Sequence, residues 1–353
     1  MNINLSRASQ VLAILFLAVA SALAADHNDI FLLTSTNNAA GNQLVVFKLN
    51  TVGTPSLNFV SALPTGGKGG ASGNAGAVQF RDSFGAVVNY GSNNFTRLVR
   101  DDHSIRVAGT VALAPDCVQP VSVALQAHDA FVLGSNCAES HSWPAGSLNG
   151  AVVSLSDDSG AQIVAGKTWA AVTLTSGSVL QLPLSAQGAL TGTSSSVTLP
   201  SDANNAPLGA AFWGDILGFN PAHGPDSFAL VAKSGDVSPI LGPQPAYPSN
   251  APCWLAKGPG NVWYSGNSPG QSISIFFSDG QGGAFYKSIP LPGVPTDVAV
   301  SRDAKWLAVI YTAADGSGAR VAVFSIDTYG DLSLAATSNP IGVAAFNGVA
   351  ISQ

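Results

Sequence analysis

Two stretches at opposite ends of the chain follow one pattern. Val46–Ser61 reads VFKLNTVGTPSLNFVS and Val323–Ser338 reads VFSIDTYGDLSLAATS, and the two align without a gap. Each has a short apolar run, a Gly-containing turn and a second apolar run, which is the signature of two antiparallel strands. A third copy, IFFSDGQG, places Phe276, Asp279 and Gly282 where Phe324, Asp327 and Gly330 stand. VSLSDDSG (Val153–Gly160) reads as a weaker copy of the same strand–turn–strand unit. A unit rewritten several times along one chain confines the fold to a repeat architecture.

A second marker falls between these copies: Pro, two residues, then an apolar one. It reads PVSV at Pro120, PLGA at Pro207, PCWL at Pro252 and PTDV at Pro295, in steps of 87, 45 and 43 residues. The first step holds two units. NAGAV at Asn74 lies one unit earlier, and NGVAIS (Asn347–Ser352) matches TDVAVS (Thr296–Ser301) one unit later. Periods of 40–50 residues with four short strands each indicate a β-propeller. Nothing in the chain keeps apolar residues at helical spacing for long.

Inner strands beginning near 75, 120, 165, 207, 252, 295 and 347 make seven blades. The final NGVAIS has no chain after it to complete a blade. The first strands, DIFLLTS, QLVVFKL and SLNFVSA, lack an inner partner. Joining the two sets closes the ring and removes an open sheet edge. The sequence therefore predicts an all-β, seven-bladed propeller of four-stranded blades, with N- and C-terminal strands sharing one blade. Only three strands are legible between 165 and 200, so six or eight blades, or an open two-domain β protein, stay compatible with the pattern.

Residues 1–24 read as a secretory signal peptide: Arg7, an apolar run, then Ala22-Leu23-Ala24 as the cleavage site. Residues 25–353 are then one exported domain, secreted and extracellular. Charged residues make up 10% of the chain, the net charge is −6, and Glu139 is the sole glutamate. This composition has no basic footprint for nucleic acid and no polybasic membrane patch. Asn94-Phe95-Thr96 is an N-glycosylation acceptor. Cys117 and Cys137 flank two apolar runs that read as a hairpin, which predicts a disulfide between them and leaves Cys253 free and buried; three buried thiols are the other reading.

Strands ending in VFSID-x-x-G-x-L and the run P-x-D-VAVS-x-D-x-KWLAV resemble the lactonase-type propellers. These are the 6-phosphogluconolactonase-like proteins and the fungal carboxymuconate cyclases. The resemblance implies an acid–base site in the central channel that binds a lactone or carboxylate through His, Arg and Glu. The matching positions hold other residues: Gln119-Pro120-Val121 where relatives have paired histidines, Pro207-Leu208-Gly209 where they have Pro-Arg-His, and Asn220-Pro221 where they have Asn-Glu. If the chain is an enzyme on a lactone or muconate-like acid, His223, Arg81, Arg302 and Asp297 are the catalytic candidates.

Three further motifs carry a chemical reading. GNSPG (Gly266–Gly270) matches a hydrolase elbow in letters, but Pro269 has no N–H to offer an oxyanion, and it reads as a turn. GGKGGASGNAG (Gly66–Gly76) lacks the phosphate-loop spacing and reads as a flexible inter-blade loop. Cleavage after Ala24 would expose Ala25-Asp26-His27, whose amine, amides and imidazole can form a square-planar copper site centred on His27.

Amide side chains recur where the inner strands begin: Asn74, Gln119, Asn205, Asn250 and Asn347, with Trp254 and Asp297 sharing one alignment column. A ring of neutral amides at the channel mouth would bind a sugar or other small polar molecule. Asn before a strand also caps turns with its side chain. The functional expectations are therefore three: a binding propeller for a small polar ligand, a lactonase or cycloisomerase with rearranged groups, and a secreted scaffold for another protein.

Overall fold

The computed structural model describes residues 29–353 apart from 72, 74, 224–226, 242–250 and 343–345. Residues 1–24, read above as a signal peptide, and His27, Asn74 and Asn250 lie outside the described residues.

Seven four-stranded antiparallel sheets form the ring. Blade 1 combines the C-terminal strand Asn347–Ser352 with Ile30–Ser35, Gln43–Asn50 and Ser56–Pro64. The inner strands of blades 2 to 7 are Val78–Arg81, Ser122–Leu125, Gly160–Ala165, Pro207–Trp213, Pro252–Lys257 and Gly293–Val300. Each inner strand touches those of both neighbouring blades, and the cycle returns to its start. The only helical turn among the described residues is Tyr90–Ser92.

The core lies between blades. Seven apolar clusters fill the seven interfaces; one joins Phe31, Leu33 and Val46 of blade 1 to Val78, Val87 and Leu98 of blade 2. Alternate side chains of a strand point to opposite sheet faces. Leu32, Val45 and Phe47 therefore enter the next interface, with blade 7. Both faces of a middle strand are buried, which is why WAAVTL (Trp169–Leu174) is apolar nearly throughout and fully buried. Outer strands keep one wet face, as in SLNFVSALP (Ser56–Pro64).

Blade 4 resolves the ambiguous stretch. Its strands are Gly160–Ala165, Trp169–Leu174, Ser178–Pro183 and Ser195–Val197. The outer one is three mostly exposed residues, too short to show a pattern. VSLSDDSG is corrected: Val153–Ser154 is the outer strand of blade 3 and Gly160 opens blade 4, so the motif crosses a blade boundary. Asp157 Oδ1 accepts Ser159 N at 2.9 Å, an Asx turn of the kind hairpins also use.

Cys117 and Cys137 are bonded, with Cα atoms 5.4 Å apart. The bond ties the approach to blade 3 to that blade's third strand, and a loop of this size contributes about 3 kcal/mol. Cys253 is free and partly buried, and burial pushes its thiol up to about 11.

Candidate functional site

The halves of six inner strands nearer their C-terminal ends line one central cavity of about 320 Å³. The inner strands thus run in one direction, from an upper mouth where they begin to a lower mouth where they end. Most of the wall is apolar, from Val123, Ile163, Ala210, Leu255 and Val298.

Polar groups enter the channel through a repeated irregularity. Register shifts interrupt the pairing at Gly160/Gln162, Pro207/Ala210, Pro252/Trp254 and Pro295/Asp297, and opposite Asn347 in blade 1. Such bulges re-aim the next side chain. The residues after the bulges are Gln162, Ala210, Trp254, Asp297 and Val349, so Trp254 and Asp297 do share a column. Gln162 Oε1 accepts Ala210 N at 2.6 Å, and Asp297 Oδ2 accepts Val349 N at 3.2 Å. Each reaches from its own blade to the same column of the next.

Asp297 also accepts Gly76 N at 3.3 Å and Val298 N at 2.9 Å. It is 4% exposed, and desolvation pushes its carboxyl up to about 7 despite those three amides. It is the only carboxylate among the residues lining this cavity.

The Gly-rich loop approaches the same point from above. Its residue Ala75 packs in the blade 6–blade 7 core beside Trp254. Gly76 (φ 72°) accepts Val123 N at 2.9 Å from blade 3 while donating to Asp297 of blade 7. The segment therefore crosses the upper end of the channel. Glycine is required by close approach: a β-carbon on Gly69 would stand 2.2 Å from the Asn37 backbone. Gly69, Ala71, Ala75 and Gly76 of this inter-blade loop are buried, while Gly66, Lys68, Gly70 and Gly73 are exposed.

A β-carbon on Gly76 would stand 2.9 Å from Ser122 Oγ, 3.2 Å from Gln162 Nε2 and 3.5 Å from the Gln79 amide. Three side-chain donors thus converge beside Gly76. The Gln79 amide has no hydrogen-bond partner among the described residues and lines the cavity. With Asp297 at the same level, this arrangement can hold an oxygen-rich molecule by accepting and donating hydrogen bonds inside an apolar wall.

The residues picked from sequence occupy different places. Gln119 (φ 54°) and Asn205 are exposed at the upper rim; Gln119 N donates to Asn93 Oδ1 at 2.8 Å. His223 is exposed there too, its N–H on Asn205 O at 3.2 Å. Asn347 is buried in blade 1. Trp254 is 4% exposed, with Nε1 on Pro295 O at 2.8 Å, so its ring packs between blades 6 and 7. Arg81 and Arg302 meet at the lower mouth over Asp82. Asp297 alone of the four catalytic candidates lines the channel. Asn94 begins a strand and accepts Asn89 Nδ2 at 2.7 Å, while Thr96 of the same acceptor motif is fully buried. GNSPG is a turn between the second and third strands of blade 6. Sequence reasoning missed Gln79, Ser122 and Gln162. Their signal was position: Gln162 stands in the Asp297 column, visible once blade 4 is seen to start at Gly160.

Among the described residues no group of three or more His, Cys, Asp or Glu is arranged to hold a metal ion. Glu139, the sole glutamate, lies away from the channel; its Oε1 is 2.7 Å from His141 Nε2, both fully buried.

No protein-family model matches the sequence, and no curated protein matches it. Solved structures do match in shape. A candidate 6-phosphogluconolactonase from Bacteroides fragilis superposes with a TM-score of 0.65 at 14% identity, over 94% of this chain and 99% of that one. The periplasmic gluconolactonase of Pseudomonas aeruginosa gives 0.65 at 14% identity, over 92% and 99%. Virginiamycin B lyase from Staphylococcus aureus gives 0.56 at 15% identity, over 76% and 85%. At these identities the likeness speaks for architecture alone, and by architecture the chain is a seven-bladed β-propeller.

Proposed function

We propose that the protein is an exported propeller that binds a small, neutral, oxygen-rich molecule of the carbohydrate class in its central channel. The observation that carries this reading is the half-buried, unpartnered amide of Gln79, aimed at the same point as Ser122 and Gln162 Nε2. The Cys117–Cys137 disulfide supports export, because such bonds persist in oxidising compartments. A copper site on His27 and a glycan on Asn94 remain part of this proposal for the mature protein.

A thermal-shift screen of the mature protein against neutral sugars, aldonolactones and muconate-like diacids tests it. A ligand that binds only the folded state raises its melting temperature. Stabilisation by a sugar or lactone that is lost in Gln79→Ala is the expected result. Gln79 has no hydrogen-bond partner to lose, so the variant should melt like the parent. A shift that survives Gln79→Ala, or none from any neutral compound, would refute the channel reading; the latter outcome favours the protein-scaffold alternative.

A second reading, weak lactone hydrolysis, is favoured by one observation: a buried channel carboxyl held near 7 has the pKa of a general acid or base. Turnover of an aldonolactone that vanishes in Asp297→Asn would support it.

A further inference from the structure

The two mouths of the channel differ in charge. At the upper mouth, residues 65–77, 113–121, 155–159 and 198–206 lead into inner strands, and they carry Lys68 against Asp116, Asp157, Asp158 and Asp202. At the lower mouth the balance reverses, although the whole chain is at −6.

Three cavities adjoin there. One of about 340 Å³ is lined by Arg81, Asp82, Arg302 and Gln353, among others. A second, of about 360 Å³, shares Arg81 with it and adds Gln126, Lys167 and Phe212. The central cavity shares Val300 with the first and Phe212 and Ala165 with the second, and it adds Lys257. At this rim four cations, Arg81, Lys167, Lys257 and Arg302, face Asp82; Asp297 lies deeper.

The cations are held by rigid turns. Arg81 ends the inner strand of blade 2 and pairs with Phe84 across the Asp82-Ser83 turn, with Asp82 at φ 53°. Arg302 sits in a loop fixed by Ser301, whose Oγ donates to Asp303 Oδ1 at 2.7 Å and accepts Trp306 N at 3.0 Å. Lys167 is exposed between Gly166 and Thr168, with Gly166 O taking the Gln126 amide and Gly166 N on Trp169 O at 2.9 Å. Lys257 Nζ lies 5.2 Å and 5.4 Å from the centroids of Trp213 and Trp263, on the carbonyls of Gly258 and Gly260. Arg302 donates to Asp82 through Nη1, which leaves most of its five donors open. Lys167 has no hydrogen-bond or ion-pair partner among the described residues. Asp215 and Asp303 stand outside these linings, Asp303 paired with Lys305 at 3.6 Å.

We infer that the lower mouth is a binding site for a small multivalent oxyanion, with Arg81, Lys167 and Arg302 as its primary contacts and Lys257 at its inner edge. Guanidinium forks match carboxylate and phosphate oxygens in geometry as well as charge. Cavities of a few hundred cubic ångströms suit a molecule of that size. Asp82 acts as the resident competitor, occupying the arginines until a ligand with more charge arrives. The site stands whether or not the channel itself takes a sugar.

Titration calorimetry with citrate and with pyrophosphate, at low salt, tests the assignment and separates carboxylate from phosphate recognition. We expect saturable binding of at least one anion, weakened about tenfold or more in the Lys167→Gln/Arg302→Gln double variant. Binding should also weaken as salt is raised. Asp82→Asn should tighten it several-fold, a gain that a merely structural disturbance would not produce. Both altered cations are exposed, so the variants should keep the parental melting curve. Gln79→Ala should leave anion binding unchanged. No saturable binding of either anion, or equal affinity in the double variant, would overturn the inference. Loss in Gln79→Ala with retention in the double variant would also overturn it, placing the anion on the channel donors.

Discussion

Asp297 holds three blades at one point, since Val349 belongs to blade 1 and Gly76 leads into blade 2. Its carboxyl stands near 3.9 in an unfolded chain and about 7 here. The folded protein therefore binds the proton more tightly, and between those values it carries more protons than the unfolded chain. This group's contribution to stability is thus present at low pH and declines as pH rises from about 4 to about 7. The decline is at most about 4 kcal/mol. Asp297→Asn should cost about 1–3 kcal/mol at pH 5, because an amide cannot accept all three N–H groups. That deficit should narrow above pH 7, where the native carboxylate bears its own desolvation penalty. Denaturant melts at pH 5 and pH 8 check this; a deficit that widens with pH would contradict it. The aspartate was visible in the sequence as a column mate of Trp254. That both would be buried was not, because burial depends on the loop above them.

At the scale of elements, the Pro-x-x-apolar marker coincides with a bulge at three of its four sites, Pro207, Pro252 and Pro295. In blades 5 and 6 the proline opens the inner strand, with the register shift immediately after it. Residues preceding three of the marker prolines, Gln119, Ala206 and Ala251, have positive φ of 54°, 51° and 20°. Proline lacks an N–H, and beside a bulge it forfeits no ladder bond. This makes the marker readable from sequence. VSLSDDSG was misread because Asp, Ser and Gly serve hairpin turns and inter-blade turns alike. The Gly-rich loop had no signal for where it would pack, since its contacts are with blades distant in sequence. Gly76→Val tests its placement: the new side chain meets Ser122 Oγ and Gln162, and φ of 72° penalises any β-branched residue. We expect about 1–3 kcal/mol of destabilisation and abolished sugar binding, with far-UV circular dichroism unchanged. Normal binding in this variant would mean that the ligand lies elsewhere.

Over the whole molecule, closure of the ring rests on six residues. Asn347–Ser352 pairs with Ile30–Ser35, fills blade 1 and supplies the Val349 N–H to Asp297. Deleting residues 347–353 should leave blade 1 with an exposed edge and blade 7 without its neighbour's inner strand. We expect loss of the single cooperative melt and a shift toward aggregates on size-exclusion chromatography. A truncated monomer melting within a few degrees of the parent would contradict closure by this strand. The fold was legible because each blade repeats the same packing problem, and repetition amplifies weak strand signals. The site was less legible because no two blades share its chemistry: Gln79, Ser122, Gln162 and Asp297 come from four blades and become neighbours only when the ring closes. The most direct measurement of the central claim is calorimetric titration of the best-stabilising neutral sugar or lactone into parent and Gln79→Ala protein side by side. One-to-one binding in the parent, weakened at least about tenfold in the variant, is the result expected of a channel site. Equal affinity in the two proteins would contradict it.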